Sequence, residues 1–217
     1  MTLQHFMETY AAKLVKAIGI HLGYVVLCVS IGFAVAMVLA ILFSRAPKIS
    51  KVVMPVLSVL QTIHGIVFIG ILLLYLGMRP RTVIIALSIY AVFPVLKNAY
   101  AGIVGVEERY REAARGCGMN QLQRLRHVEL PLAMPNIIGG LRLSTVYTVS
   151  WTVLAAMIGQ HGLGDFVYRG VSSNNNELIL QGAIPAAILA LVLGGLVDLL
   201  QRHVVPRGLR NVGGESK

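Results

Sequence analysis

Apolar residues run along this chain in long blocks separated by short, basic connections. Ala17–Ser44 and Val52–Met78 contain no Asp, Glu, Lys or Arg, and Leu178–Val197 is a third clean run. Uncharged stretches beyond about 18 residues predict membrane-spanning helices. The pattern predicts five: 20–44, 52–76, 82–104, 136–158 and 178–200. The third needs an argument, because its apolar run, Thr82–Leu96, is only 15 residues long. As a helix it reaches roughly 22 Å, short of a hydrocarbon core of about 30 Å. The span is therefore expected to continue through Asn98 and Tyr100, with Lys97 snorkelling to the cytoplasmic side or facing a polar interior. Arg142 raises the same question in the fourth span. Asp198 in the fifth has Arg202 four residues on, a spacing that predicts a helix-end ion pair.

Before the first span, Leu3, Phe6, Met7, Tyr10, Leu14 and Ile18 recur at helical spacing, with Glu8, Thr9, Lys13 and Lys16 elsewhere on the wheel. Residues 1–19 thus form an amphipathic segment, either lying in the outer interface or packed as a lead-in to the first span. A single membrane domain occupies 20–200, and 201–217 form a cytoplasmic tail. No cleavable leader is expected, since the first apolar run is too long and lacks a small-residue cleavage site after it.

Composition narrows the class. Of 217 residues, 56% are hydrophobic and 13% charged, which is too little polar surface for a soluble domain. The net charge of +10 would suit nucleic acid if the cations shared one face. They lie instead in alternate connections. Arg45, Lys48 and Lys51 fill the first; Lys97, Arg109, Arg111, Arg115, Arg124 and Arg126 the central one; Arg202, Arg207, Arg210 and Lys217 follow the last span. The remaining connections carry Arg79 and Arg81, or Arg169 balanced by Asp165 and Glu177. By the positive-inside rule the central loop and C-terminus face the cytoplasm, and the N-terminus, 77–81 and 159–177 lie outside. Cys28 in a span and Cys117 in a cytoplasmic loop are not expected to pair. The histidines are scattered; His21 and His64 are single intramembrane residues, suited to hydrogen-bonded packing or to a polar pathway.

The central connection, about 105–131, carries a polar cassette: Glu112-Ala113-Ala114, then Gly118, Val128 and Leu130-Pro131. Val106–Cys117 is expected to form one helix, broken at Gly116 and Gly118. Asn120 and Gln123 read as a cap for a second, with Leu122, Leu125 and Val128 on one face and Pro131 as its stop. Small residues at 113 and 114 let such a helix seat closely on a partner, and Gly118 admits positive φ. Glu112 is free to pair with a partner's cation, or with Arg109 or Arg115. The plain alternative is a solvated charged loop.

With its spacing intact, this cassette resembles the EAA signature of ABC-transporter permease subunits. Further segments, Gln61-Thr62-Ile63, Asn98 to Ile103, Val128 to Ala133, Ile158 to Gly164 and Ile179 to Ala187, resemble the osmoprotectant-type permeases, which move glycine betaine, carnitine or choline. That resemblance implies an all-α membrane protein of the type I importer fold, with Glu112, Ala113, Ala114, Gly118, Val128, Leu130 and Pro131 coupling it to an ATPase. It implies a dimer of ATPase subunits that binds the ATP, a second permease subunit, identical or paralogous, and an extracytoplasmic substrate-binding protein, with no cofactor held by this chain and no nucleic acid. The methionine-type permeases share the length and core fold and stand as the alternative. The chain departs from the osmoprotectant pattern at His64-Gly65, where a Pro usually follows, and at Gln160 and His161, where smaller residues are common. Gly159-x-x-Gly162-x-Gly164 is not a nucleotide loop, since it follows a span and lacks a Lys; it suits an extracytoplasmic gate, a binding-protein contact or a plain turn.

For the pathway, the expected residues are Gln61, His64, Asn98, Tyr100, Tyr147 and Trp151. Tyr147 and Trp151 share a helix face, with Ser144 nearby, and aromatic faces attract quaternary ammonium groups. Packing between helices is the competing role for that face. Two other classes remain: a secondary transporter, which would need ion-coupling carboxylates at mid-membrane depth, and a membrane enzyme, which would need a convergent catalytic group.

Overall fold

The computed structural model describes residues 3–63, 65–155 and 161–205, with side chains from residue 11 onward except at 66. Nine α-helices follow one another among these residues. They are α1 (Leu3–Arg45), α2 (Pro47–Leu60), α3 (Gly65–Leu76), α4 (Pro80–Val104), α5 (Glu108–Gly116), α6 (Gln121–Arg124), α7 (Leu130–Leu154), α8 (Leu163–Ser172) and α9 (Asn176–Val204). A π-helical turn, Leu125–Glu129, joins α6 to α7. α1, α4, the run 121–154 and α9 are long and apolar enough to cross a membrane.

The bundle is built on α1, α4 and α7, which pack closely because small residues meet at their seams. A Cβ on Gly32 of α1 would lie 2.6 Å from that of Ala91 on α4, and one on Gly140 of α7 would lie 2.8 Å from the Asn98 Cβ. Helices in lipid lack a hydrophobic drive to associate, so such approaches supply the van der Waals contact instead. Ala36, Ala40, Val95, Leu96, Ala99, Ile103, Ala133 and Ile137 form the buried core at this junction. Ser144 adds a hydrogen bond across the α4–α7 seam, donating to the Ala91 carbonyl at 2.8 Å. His21 is fully buried, and its Nε2 donates to the Val149 carbonyl at 3.2 Å, so it is a packing histidine. α9 lies outermost, with Leu180, Ile184, Ile188, Leu191 and Leu196 exposed. Apolar exposure of that kind suits a face turned to lipid.

Several expectations change in the structure. The second span is two helices, α2 and α3, interrupted at Gln61–Ile63, where a polar pair precedes Gly65. At 14 and 12 residues they are roughly 21 and 18 Å long. Residues 3–45 form one helix, with no break between the amphipathic segment and the first span. Pro131 does not stop its helix. The missing N–H and the ring clash of a proline fall on the preceding turn, and here that turn is π-helical, with Leu130 donating to Leu125 five residues back. Widening the turn lets the chain run from 121 to 154 without ending. Leu125 is buried and Val128 half-buried, whereas Leu122 is 72% exposed and leaves the expected apolar face. Asp198 pairs with Arg142 of α7 at 2.9 Å rather than with Arg202. Cys28, buried, and Cys117, exposed, are both free thiols.

Candidate functional site

The cassette 105–131 folds as two short helices around a defined corner. α5 ends in a Schellman turn: Met119 N–H donates to the Ala114 carbonyl at 3.0 Å and Gly118 N–H to that of Arg115 at 2.9 Å. This turn puts Gly118 at φ +75°, a conformation that favours glycine. The chain then re-enters a helix through a capping box. Asn120 Oδ1 accepts from Gln123 N–H, and Gln123 Oε1 accepts from Asn120 N–H, both at 2.9 Å.

α5 touches the bundle along one stripe. Ala114 is buried and Arg111 half-buried, whereas Glu112, Ala113, Arg115 and Gly116 are exposed. Arg109 pairs with Glu107 and Arg115 with Glu108, which leaves Glu112 exposed without an ion-pair partner among the described residues. The helix is thus held by one edge, with small residues and the Glu112 carboxylate facing outward. Val128, Leu130 and Pro131 are half-buried and lie behind it, in the π turn and the start of α7.

What ties this corner to the membrane helices is Glu129, within the segment Val128 to Ala133. Its side chain has no exposed surface. Arg45, at the end of α1, grips both carboxylate oxygens; Arg124 of α6 donates to Oε1 at 3.1 Å; Arg111 of α5 lies 3.7 Å away. Arg111 also donates to the Ile103 and Val104 carbonyls, at 2.7 and 3.1 Å, closing the end of α4. One buried carboxylate thus joins α1, α4, α5, α6 and α7. A buried charge is tolerated only when paired and hydrogen-bonded, and three guanidinium groups meet that demand with positive charge to spare. The local signal was a lone Glu between the basic run Arg124 to His127 and the apolar start of α7. Its partner Arg45, 84 residues away, could not be read from spacing.

The expected pathway residues divide. Gln61, Tyr147 and Trp151 line one cavity of about 150 Å³ together with Tyr90, Pro94 and Thr148. Of the three members the sequence did not single out, Tyr90 is the aromatic one. Its ring lies 5.3 Å from that of Trp151, and its hydroxyl donates to the Ile63 carbonyl at 2.5 Å, fastening α4 to the break between α2 and α3. Phe68 and Phe93 flank Tyr90 edge-on at 5.3 and 6.0 Å. Pro94, inside α4, cannot supply the N–H that the Tyr90 carbonyl would take in an unbroken helix. Gly65 is held small by the same cluster, because a Cβ there would come within 2.5 Å of the Trp151 ring. Tyr90 lies 14 residues before the end of α4, roughly 21 Å from the Glu129 cluster along that helix, well inside the membrane. Lys97 is exposed and shares a small cleft with Gln61 and Phe93.

Asn98 and Tyr100 are placed elsewhere. Asn98 sits on the α4–α7 seam, donating to the Pro94 carbonyl at 2.8 Å, and Tyr100 donates to Ser50 Oγ of α2 at 2.8 Å. Ser144 turns to α4, away from the Tyr147 and Trp151 rings. His64, Gly159 and Gln160 lie outside the described residues.

Residues 31–209 match the family model described as binding-protein-dependent transport system inner membrane component. The chain is 40% identical over 197 residues to a carnitine transport permease protein of Listeria monocytogenes, covering 90% of each. It is 34% identical over 207 residues to a glycine betaine/carnitine/choline transport system permease protein of Bacillus subtilis, covering 95% of each. An osmoprotectant import permease protein of Salmonella typhimurium is 31% identical over 211 residues, covering 95% of this chain and 98% of that one. Among solved structures, an inward-facing methionine ABC transporter superposes with a TM-score of 0.81 at 17% identity, over 89% of this chain and 96% of that one, a likeness of fold. The descent this establishes agrees with the corner, the core and the long apolar helices: the chain belongs to the binding-protein-dependent inner-membrane components, the permease subunits of ABC importers.

Proposed function

We propose that this permease forms half of the translocation pathway for a small quaternary ammonium solute of the glycine betaine, carnitine or choline type. The observation that carries the proposal is the cavity at the α4–α7 face, where Tyr90, Tyr147 and Trp151 converge. Aromatic faces attract a cation whose charge is spread over methyl groups, and that attraction strengthens away from water. The cavity is small, about 150 Å³, and Tyr147 is 46% exposed, so the face is open to a second subunit that would complete the enclosure. The names carried by the relatives point to the same solutes.

A second permease, identical or paralogous, faces this one; a dimer of ATPase subunits, which binds the ATP, docks on α5; and an extracytoplasmic binding protein delivers the solute. The permease itself uses no cofactor. Closure of the ATPase dimer draws the paired α5 helices together. The displacement reaches α1 and α7 through Arg111, Glu129 and Arg45, because a salt-linked buried cluster moves as a unit rather than shearing. The membrane helices then alternate between outward-open and inward-open arrangements.

Uptake is the direct test. Cells stripped of their own osmoprotectant importers and supplied with this permease and its partner subunits should accumulate labelled glycine betaine, carnitine or choline, and should do so only with a hydrolysis-competent ATPase. Accumulation of methionine in place of these solutes would transfer the chain to the amino-acid class. Accumulation with an inactive ATPase would make it a secondary transporter.

A further inference from the structure

At the end of the bundle opposite the Glu129 cluster, α1, α8 and α9 enclose a cavity of about 500 Å³. Lys13 and Lys16 of α1 and Arg169 of α8 stand around it, while Ala17, Ile20, Phe166 and Leu178 supply an apolar wall. The uncharged run 17–44 separates Lys16 from Arg45, 29 residues on. As α-helix that is roughly 43 Å, the thickness of a bilayer with its headgroups. If Arg45 sits at one headgroup layer, Lys16 sits at the other. Five cations fall on this sparsely charged side, Lys13, Lys16, Arg79, Arg81 and Arg169, and three of them converge on this cavity.

We propose that the cavity binds the headgroup of an anionic phospholipid, its phosphate between Lys13, Lys16 and Arg169 and its glycerol and first acyl carbons against Ile20, Phe166 and Leu178. Asp165 does not oppose this. It holds Arg169 by two contacts, Nη2 at 2.9 Å and Nε at 3.1 Å, so its charge is answered and the guanidinium is oriented. His161 lies 3.9 Å from the same carboxylate and is 80% exposed, at the mouth. Lys13, Lys16 and Arg169 outnumber Asp165, the one carboxylate among the described lining residues. An amphiphile carrying one negative charge at headgroup depth matches both the charge and the two-sided lining. The bound lipid would tie α1 to the α8–α9 corner.

The test is native mass spectrometry of the full-length permease released from nanodiscs of mixed phosphatidylglycerol and phosphatidylcholine, each variant first shown to elute as one monodisperse species. The parent should retain phosphatidylglycerol over phosphatidylcholine. In K13Q/K16Q retention should fall by about fivefold per lysine removed, the effect of one basic residue at an anionic surface. K13R/K16R should retain lipid as the parent does, and K48Q/K51Q, near the opposite face, should be unchanged. Leu178→Trp, which fills the apolar side and leaves the charges, should lower retention independently and serves if K13Q/K16Q does not fold. Undiminished retention in K13Q/K16Q or in Leu178→Trp overturns the proposal, as does an equal loss in K48Q/K51Q. Displacement of the lipid by inorganic phosphate would make the site one for free anions. Unchanged lipid retention with loss of binding-protein docking in K13Q/K16Q would make it a protein contact; either result rejects the lipid.

Discussion

Glu129 and Trp151 are the two residues whose surroundings decide most about this permease. Removing the Glu129 carboxylate leaves three guanidinium groups converging on an empty, buried space. Breaking a buried pair by deleting one partner costs on the order of 3–5 kcal/mol, because the remaining charge has nothing to answer it. Glu129→Ala is therefore expected to lower the thermal unfolding temperature of the detergent-purified protein sharply. Glu129→Gln keeps the shape and an accepting oxygen and should fall between the two. An Ala variant that melts with the parent would show the cluster to be ornamental. Trp151 is the only tryptophan in the chain and lies against Tyr90 in the cavity. A cation–π contact is worth about 0.5–2 kcal/mol, so Trp151→Ala should raise the apparent KM for a quaternary ammonium solute by about 2- to 30-fold, and Trp151→Phe by less. Parental KM in Trp151→Ala would reduce the aromatic face to packing. The pairing of Tyr147 with Trp151 was legible from their four-residue spacing. Tyr90 was not, because it comes from another helix and is turned into the cavity by its hydroxyl bond to Ile63.

At the scale of the element, the corner between α5 and α6 shows which kinds of information are local. The Gly118 turn and the Asn120–Gln123 box were both readable, since each is closed by bonds among residues at most five apart. The fate of Pro131 was not. A proline ends a helix unless the preceding turn widens, and the π turn here encloses Glu129, whose partners lie on α1, α5 and α6. The interruption of the second span had a polar signal in Gln61-Thr62, outweighed in the sequence by the apolar residues on either side. For α5 the consequence concerns docking. A side chain at Gly118 would meet open space, so only the positive φ opposes substitution within the subunit, and Asn and Asp tolerate that region better than most residues. Gly118→Asp should therefore insert and fold normally while losing ATPase co-purification and uptake, since the added charge lies where a partner would seat. Gly118→Asn, uncharged and of similar size, should lose less. Normal uptake and normal ATPase assembly in Gly118→Asp would remove the support for α5 as the docking helix.

On the scale of the whole molecule, charge and length fix how the bundle sits in the membrane. The Glu129 cluster gathers Arg45, Arg111 and Arg124 at one end, and this is the end to which the positive-inside rule assigns the cytoplasm. The helical run from Lys16 to Arg45 carries the chain to the opposite headgroup layer, where α8 and the start of α9 lie beside α1. The sequence could set this orientation because connections differ in cation content whatever their tertiary contacts. It could not show that Arg142 and Asp198 neutralise each other between α7 and α9, which removes the fourth span's unexplained charge. The native thiols make the orientation testable with little engineering. Cys28 is buried in α1 and Cys117 is exposed beside the Gly118 corner, so a membrane-impermeant maleimide should leave the parental protein unlabelled in intact cells and label Cys117 once the cells are opened. In a Cys117→Ser background, Ser173→Cys, exposed in the turn before α9, should react in intact cells. Labelling of Cys117 in intact cells, with Ser173→Cys silent until lysis, would invert the molecule and place the α5 corner where no ATPase could reach it.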